Sequence, residues 1–302
     1  VTLILREHVP LAPFTTLGVG GPARYFIRAD TEKTVHEAVD FSRTQGLPLL
    51  VMGGGSNMLI ADAGFPGVVL HIEILGTEWS ESGNRVRLVA GAGEDWDRTV
   101  ADCVGKGLYG VECLSGIPGT VGGTPVQNVG AYGQEVSETL VQVLAFDRVD
   151  NKEVELSHSD CRFSYRKSIF NSTELNRFIV LRVVYEFSNS GVPCIRYPDL
   201  KREFAGRSEP SLTELREAVL RIRASKGMVL DPNDIDSRSA GSFFKNPIVN
   251  AEECSRVEAI AGEAAPKYPA PDGKVKLSAA WLIERTGIAK GHRKGNAAIS
   301  SK

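Results

Sequence analysis

Gly53-Gly54-Gly55-Ser56-Asn57 follows the apolar run Leu49-Leu50-Val51-Met52, so a short buried strand delivers the chain into three consecutive glycines. Glycines let backbone N–H groups approach a phosphate closely, because no Cβ blocks them and positive φ is free. Ser56 and Asn57 add side-chain donors to the same turn. Alone, the run reads equally well as a tight turn. A second stretch, Ser115–Gly133 (SGIPGTVGGTPVQNVGAYG), shifts that balance. A loop of this length without regular structure is either functional or disordered. Disorder is disfavoured by Ile117, Val121, Val126 and Val129, which demand burial. The expectation is a rigid, structureless loop wrapped about a large planar ligand.

Other glycine patterns carry less. Gly18-Val19-Gly20-Gly21-Pro22-Ala23 matches the letters of a dinucleotide fingerprint, but a strand, Tyr25-Phe26-Ile27, follows it where a helix is required. No P-loop run is present, so a bound dinucleotide would be held by another route. Arg166, in Tyr165-Arg166-Lys167-Ser168-Ile169-Phe170, reads locally as a surface or salt-bridging arginine. Ser242, beside Gly241, reads locally as a cap. His8, His36, His71, His158 and His292 have no ligand spacing, so no metal is expected. None of them lies in either glycine-rich loop, so no histidine tether to a ligand held there is expected. The cysteines (Cys103, Cys113, Cys161, Cys194, Cys254) are scattered and form no CxxC, which suits reduced thiols better than a disulfide framework or a zinc site.

Elements must position these loops. Thr31 as N-cap, Val35, Ala38, Val39 and Ser42 at helical spacing and Gly46 as stop predict a helix over 31–45. With strands at 25–27, 49–52 and 68–70 this makes an α/β unit up to about residue 72. Further on, a strand is expected at 86–89 and a helix at 95–106, then strands at 140–146, 153–156 and 178–187. Helices follow at 212–226, 251–264 and 276–286. The expected divisions are 1–72, 73–225 and 226–302. The length of 302 residues, 42% hydrophobic and 24% charged content and a formal net charge of -2 fit a globular protein with no bulk attraction to nucleic acid or an anionic membrane. No signal peptide or membrane-spanning run is evident. Both ends, Val1 and Ser300-Ser301-Lys302, read as cut.

Five segments in order are together specific: Thr16–Ala23, the GGGSN loop, Ser115–Gly133, Tyr165–Phe170 and Gly241-Ser242-Phe243-Phe244-Lys245-Asn246-Pro247, with Leu277–Glu284 behind them. Through nearly its whole length the chain resembles the UDP-N-acetylenolpyruvoylglucosamine reductases (UDP-N-acetylmuramate dehydrogenases). The resemblance implies an α+β fold of vanillyl-alcohol-oxidase type. Two α/β subdomains would hold FAD, and a smaller α/β domain would cover the substrate. It further implies NADPH-driven reduction of UDP-N-acetylglucosamine-enolpyruvate in the cytoplasm, by a monomer, in peptidoglycan precursor synthesis. Gly53, Gly54, Gly55, Ser56 and Asn57 would hold the pyrophosphate. Gly122, Gly123, Val126 and Gly130 would line the flavin. Arg166 matches the electrophilic partner and Ser242 the proton donor. Tyr132, Tyr197, Lys226 and Asn246 match substrate contacts, Tyr197 on the tyrosine loop of one subgroup. A third catalytic residue of the family, a C-terminal glutamate, has no counterpart before Lys302, so the chain is either truncated or lacks it, and Glu284 stands in a different motif. Two rivals remain, an FAD oxidoreductase of the same fold acting on an alcohol or hydroxy acid, and a non-catalytic flavin- or nucleotide-binding module.

Overall fold

Thr31 accepts the Thr34 N–H at 3.2 Å and starts helix α1, Glu32–Thr44, which Gly46 ends in the left-handed region. In the computed structural model, which describes residues 3–302, Val35, Ala38, Val39 and Ser42 form the buried face of α1, as their spacing predicts. Helix α1 connects β2 (Pro22–Ala29) to β3 (Leu49–Met52), and both pair in parallel with β4 (Phe65–Ile72). An edge strand, β1 (Arg6–Pro10), pairs antiparallel with β2 and completes a four-stranded sheet.

A second, fully antiparallel sheet follows. It orders β8 (Lys152–Ser157), β7 (Leu140–Asp147), β9 (Phe178–Ser188), β6 (Arg85–Gly91) and β5 (Thr77–Ser82). Helix α2 (Trp96–Gly105), capped by Asp95, buries Trp96, Val100 and Val104. One core runs through both sheets, joining Ile27, Val39 and Leu70 to Leu88, Val143 and Val183. Full burial of such side chains contributes about 1.5–3 kcal/mol each. Helices α3 (Pro198–Glu203) and α4 (Leu212–Ser225) build a satellite core of Leu200, Leu215, Ala218 and Val219.

The chain divides after Ser239 into two compact units, later than the boundary expected near 225. Residues 226–239 stay with the first unit because side chains tie them there: Arg223 Nη2 donates to Met228 O at 2.9 Å, and Thr16 Oγ1 to Ser239 O at 3.0 Å. The second unit has a three-stranded antiparallel sheet, with β12 (Val275–Leu277) between β10 (Ile248–Val249) and β11 (Lys267–Pro269). Its helices are α5 (Ala251–Ala261) and α6 (Ala279–Arg285), packed through Cys254, Leu277 and Trp281. Helix α5 ends earlier than its expected bound of 264, since Gly262 takes the left-handed C-cap. The expected helix over 276–286 begins only after β12, because Ser278 caps it. Among the described residues no helix is long and apolar enough to cross a membrane.

Candidate active site

The two glycine-rich loops pack on each other. A Cβ on Gly53 would lie 2.5 Å from Thr120 Oγ1, one on Gly54 2.8 Å from Gly119 Cα, and one on Gly55 1.9 Å from Phe14 O. A Cβ on Gly122 would lie 2.6 Å from that of Ala92. Close packing of protein on protein therefore already explains these four glycines. Asn57 Nδ2 donates to Gln127 Oε1 at 3.2 Å, a further tie between the loops, and Ser56 Oγ abuts Gly119. Gly123 differs. It is exposed, its φ is not positive, and a Cβ there would meet nothing within 4 Å.

The expectation of a structureless second loop is corrected. Val121–Gly123 form a 3-10 turn, and Gly130-Ala131 pairs with Gln134-Glu135 in a short antiparallel ladder. The glycines shorten these elements without abolishing them, because neighbouring backbones supply the hydrogen bonds. Trp96 N–H donates to Gly119 O at 3.1 Å and Val121 N–H to Glu94 O at 2.9 Å.

Arg166 sits at the tip of a tight hairpin in which Ser164 and Lys167 exchange backbone hydrogen bonds, both at 3.0 Å. Its φ is +54°, which costs a non-glycine residue roughly 1–2 kcal/mol. Surrounding bonds fix it there. Nη1 donates to Asn128 O at 3.2 Å, Nη2 donates to Gly130 O, and Asn171 Nδ2 donates to Arg166 O at 3.2 Å. A Cβ on Gly130 would lie 2.8 Å from Nη1, so glycine at 130 admits the guanidinium. Buried Ser168 holds the same loop by donating to Val126 O at 2.6 Å. Asn128, also at positive φ, donates to Glu135 Oε2 at 2.8 Å and Ser164 O at 3.2 Å. Positive φ at Asn128, Tyr132 and Arg166 within one loop-and-hairpin assembly is strain that persists only where the surroundings over-determine it.

At its N-terminal end the loop is anchored by Asp97. Its Oδ1 accepts the Gly116 N–H at 2.5 Å, and Arg216 from α4 binds it bidentately at 2.7 and 2.9 Å. Burial alone would raise the Asp97 carboxyl. The Arg216 guanidinium and the Gly116 N–H outweigh it and hold the carboxyl below its ordinary value. A folded pKa below the unfolded one gives stability that is present above the unfolded value, about 3.9, and lost as pH falls through the folded value. Asp97→Asn is therefore expected to cost about 1–2 kcal/mol at pH 7, between exposed and buried ion pairs, and progressively less in acid. Urea unfolding at pH 7 and below pH 4 checks this. Equal midpoints for variant and wild type at pH 7 would refute the anchor.

Three of the substrate candidates come together in the first unit. Tyr132 and Tyr197 meet edge to face with centroids 5.3 Å apart, and Lys226 Nζ lies 5.8 Å from the Tyr132 ring centroid. Lys226, the C-cap of α4, also pairs with Asp199 Oδ2 at 2.6 Å; its ammonium and Arg202 lower the Asp199 carboxyl. Tyr132 is buried, and burial pushes its hydroxyl up to about 12. Ser242 and Asn246 belong to the second unit. Ser242 is exposed beside Gly241, at φ +71°. Asn246 Oδ1 accepts the Ala279 N–H at 2.9 Å and so satisfies the first turn of α6. Sequence reasoning missed Asp97, Asn128, Ser168 and Arg216. Their work is done through contacts that no local pattern announces. The one available signal was Ser168, inside the segment that carries Arg166.

A family model described as an FAD binding domain matches residues 23–156. A second, the C-terminal domain of UDP-N-acetylenolpyruvoylglucosamine reductase, matches residues 231–302. The UDP-N-acetylenolpyruvoylglucosamine reductase of Thermobifida fusca is 48% identical over 314 residues, covering 100% of this chain and 87% of that protein. The enzyme of that name from Streptomyces coelicolor is 50% identical over 307 residues, covering 98% and 79%. The crystal structure of UDP-N-acetylenolpyruvylglucosamine reductase from Thermus caldophilus superposes with a TM-score of 0.62 at 27% identity, covering 98% of this chain and 85% of that one. The fold is α+β, shared with the Thermus caldophilus reductase, and includes the matched FAD binding domain.

Proposed function

Because the chain belongs to the UDP-N-acetylenolpyruvoylglucosamine reductase family, we propose that it reduces UDP-N-acetylglucosamine-enolpyruvate to UDP-N-acetylmuramate, with NADPH as electron source and FAD held non-covalently. The reaction would serve peptidoglycan precursor synthesis in the cytoplasm, carried out by a monomer. The FAD-binding part is assigned to residues 1–72 and 73–225 and the substrate domain to the second unit, 240–302, with 226–239 carried on the first unit.

The residues present fit FAD. Gly123 leaves an open, side-chain-free face on a loop otherwise packed against protein. Gly53, Gly54, Gly55, Ser56 and Asn57 are assigned to the pyrophosphate, and Gly122, Gly123, Val126 and Gly130 to the ring. FAD held by these residues and reduced by NADPH would supply the hydride for the reduction. Arg166 offers a planar fork of donors to the substrate carboxylate and stabilises the negative charge that develops there. Ser242 delivers the proton to C2. Tyr132, Tyr197, Lys226 and Asn246 orient the UDP portion.

The observation that carries this reading is the Arg166 hairpin. A strained arginine is braced on two carbonyls of the glycine-rich loop, so a fixed cation stands beside the surface assigned to the flavin. NADPH consumption that depends on the UDP-enolpyruvyl sugar, and not on simple alcohols or hydroxy acids, is the expected assay result. Equal turnover with a hydroxy acid would favour the same-fold oxidoreductase instead.

Gly123→Ala isolates the cofactor contact. The added methyl meets open space, so the fold is expected to be unchanged while FAD affinity falls at least about tenfold, or 1.4 kcal/mol. Fluorescence titration of the deflavinated protein with FAD measures it. Unaltered affinity would remove Gly123 from the site. Gly122→Ala is the contrast, since its methyl collides with Ala92 and destabilises the protein with or without FAD.

A further inference from the structure

Cys113 and Cys194 stand 81 residues apart in sequence yet meet in the first unit, and the proposed reaction uses neither. Cys113 Sγ donates to Cys194 O at 3.1 Å. Both backbones are pinned by neighbouring side chains. The Cys113 N–H donates to Gln134 Oε1 at 2.7 Å, and the Cys194 N–H to Glu112 Oε1 at 3.1 Å. Glu112 is itself fixed by accepting the Gly110 N–H at 2.8 Å. Such pinning holds the two residues side by side, with Cys194 Sγ 4.0 Å from Gly133 O.

Their surroundings differ in access. Cys194 forms part of the wall of a cleft of about 670 Å³, with Tyr109, Pro193, Arg196 and Phe204, whereas Cys113 is not among the cleft residues. The neighbouring Cys113 lowers the Cys194 thiol, while Cys113 itself is pushed up by that neighbour and by burial. Cys103 and Cys161 are buried in the main core, and desolvation raises both. Buried thiols of that kind are inert, whereas Cys194, though only 8% exposed, borders the cleft and so lies within reach of a small solute.

We infer that Cys113 and Cys194 form a reactive dithiol, a modification site that takes a peroxide-class oxidant and closes to a disulfide. The Cys194 thiolate attacks one peroxide oxygen. The O–O bond breaks, hydroxide leaves, and Cys194 becomes a sulfenic acid. The Cys113 sulfur then attacks the Cys194 sulfur, the S–S bond forms, and the departing hydroxide takes up the Cys113 proton as water. In total the two thiols lose two electrons and two protons, and peroxide becomes two waters. The new bond joins the turn ahead of the Ser115–Gly133 loop to the segment leading into Tyr197. The inference is independent of the proposed function, because it rests on the two cysteines and their neighbours and on none of the flavin or substrate assignments.

The test uses the full-length wild-type chain. It is treated with hydrogen peroxide near stoichiometry, quenched with N-ethylmaleimide in denaturant, and mapped by non-reducing proteolysis and mass spectrometry. The expected result is a dominant Cys113–Cys194 linked peptide, abolished by dithiothreitol, with Cys103 and Cys161 fully alkylated. In Cys113→Ser, dimedone should label Cys194, since its sulfenic acid has lost its partner. The proposal is overturned if both cysteines in the wild type remain alkylatable, if Cys113 or Cys194 links mainly to another cysteine, or if Cys194 is over-oxidised with no linked peptide.

Discussion

Replacing Arg166 with alanine is expected to lower kcat by roughly 10²–10³-fold while the protein keeps its flavin spectrum. The loss follows from the position of the guanidinium. It is held at the tip of a strained hairpin by Asn128 O and Gly130 O, with Asn171 clamping the backbone behind it. Alanine removes the cation but leaves Ser168 on Val126 O and Asn128 on Glu135, so the loop retains most of its frame. Arg166→Lys separates charge from geometry. Lysine restores a cation without the fork, so part of kcat should return while substrate KM stays raised. Rapid-mixing measurement of substrate reduction gives both parameters. Wild-type turnover in the alanine variant would strip Arg166 of its role.

Ser242→Ala should reduce kcat by a comparable or larger factor, about 10²–10⁴, with little change in KM or FAD content. A serine hydroxyl is a weak acid, and its contribution lies in delivering a proton at one carbon, which alanine cannot do. Ser242 is exposed next to a left-handed glycine, so alanine there removes no packing that could masquerade as a catalytic loss. Ser242→Cys offers a proton again and should recover part of the rate. A solvent deuterium effect on protonation at C2 that is the same in wild type and the alanine variant, together with an unchanged rate, would contradict the assignment.

How much of this was readable beforehand depends on the range of the interaction. Helix α1 declared itself through Thr31, its apolar spacing and Gly46, and α2 and α4 did the same, because caps and periodicity are local. Strands β1 and β5 were not foreseen. Arg-Glu-His-Val-Pro and Thr-Glu-Trp-Ser-Glu-Ser have largely exposed edge positions and lack the alternation that marks a half-buried strand. Their existence depends on β2 and β6, which supply hydrogen-bond partners from elsewhere in the chain. The glycine-rich loops were legible as special. That Gly54 packs on Gly119 and Gly55 on Phe14 O, leaving Gly123 the open one, was not, since only the folded chain brings those backbones together. The meeting of Tyr132, Tyr197 and Lys226 and that of Cys113 with Cys194 depend likewise on long-range packing. For Arg166 and Ser242, local sequence favoured ordinary surface roles, and only the ordered set of motifs argued otherwise.

The most direct test of the central claim is anaerobic. The purified protein is scanned in the visible range, titrated with NADPH, and then given UDP-N-acetylglucosamine-enolpyruvate. The expected result is a flavin spectrum that NADPH bleaches and that one equivalent of the UDP-enolpyruvyl sugar restores, with UDP-N-acetylmuramate formed in step. A spectrum that stays bleached after that addition, or a protein that takes up no FAD at all, would contradict it.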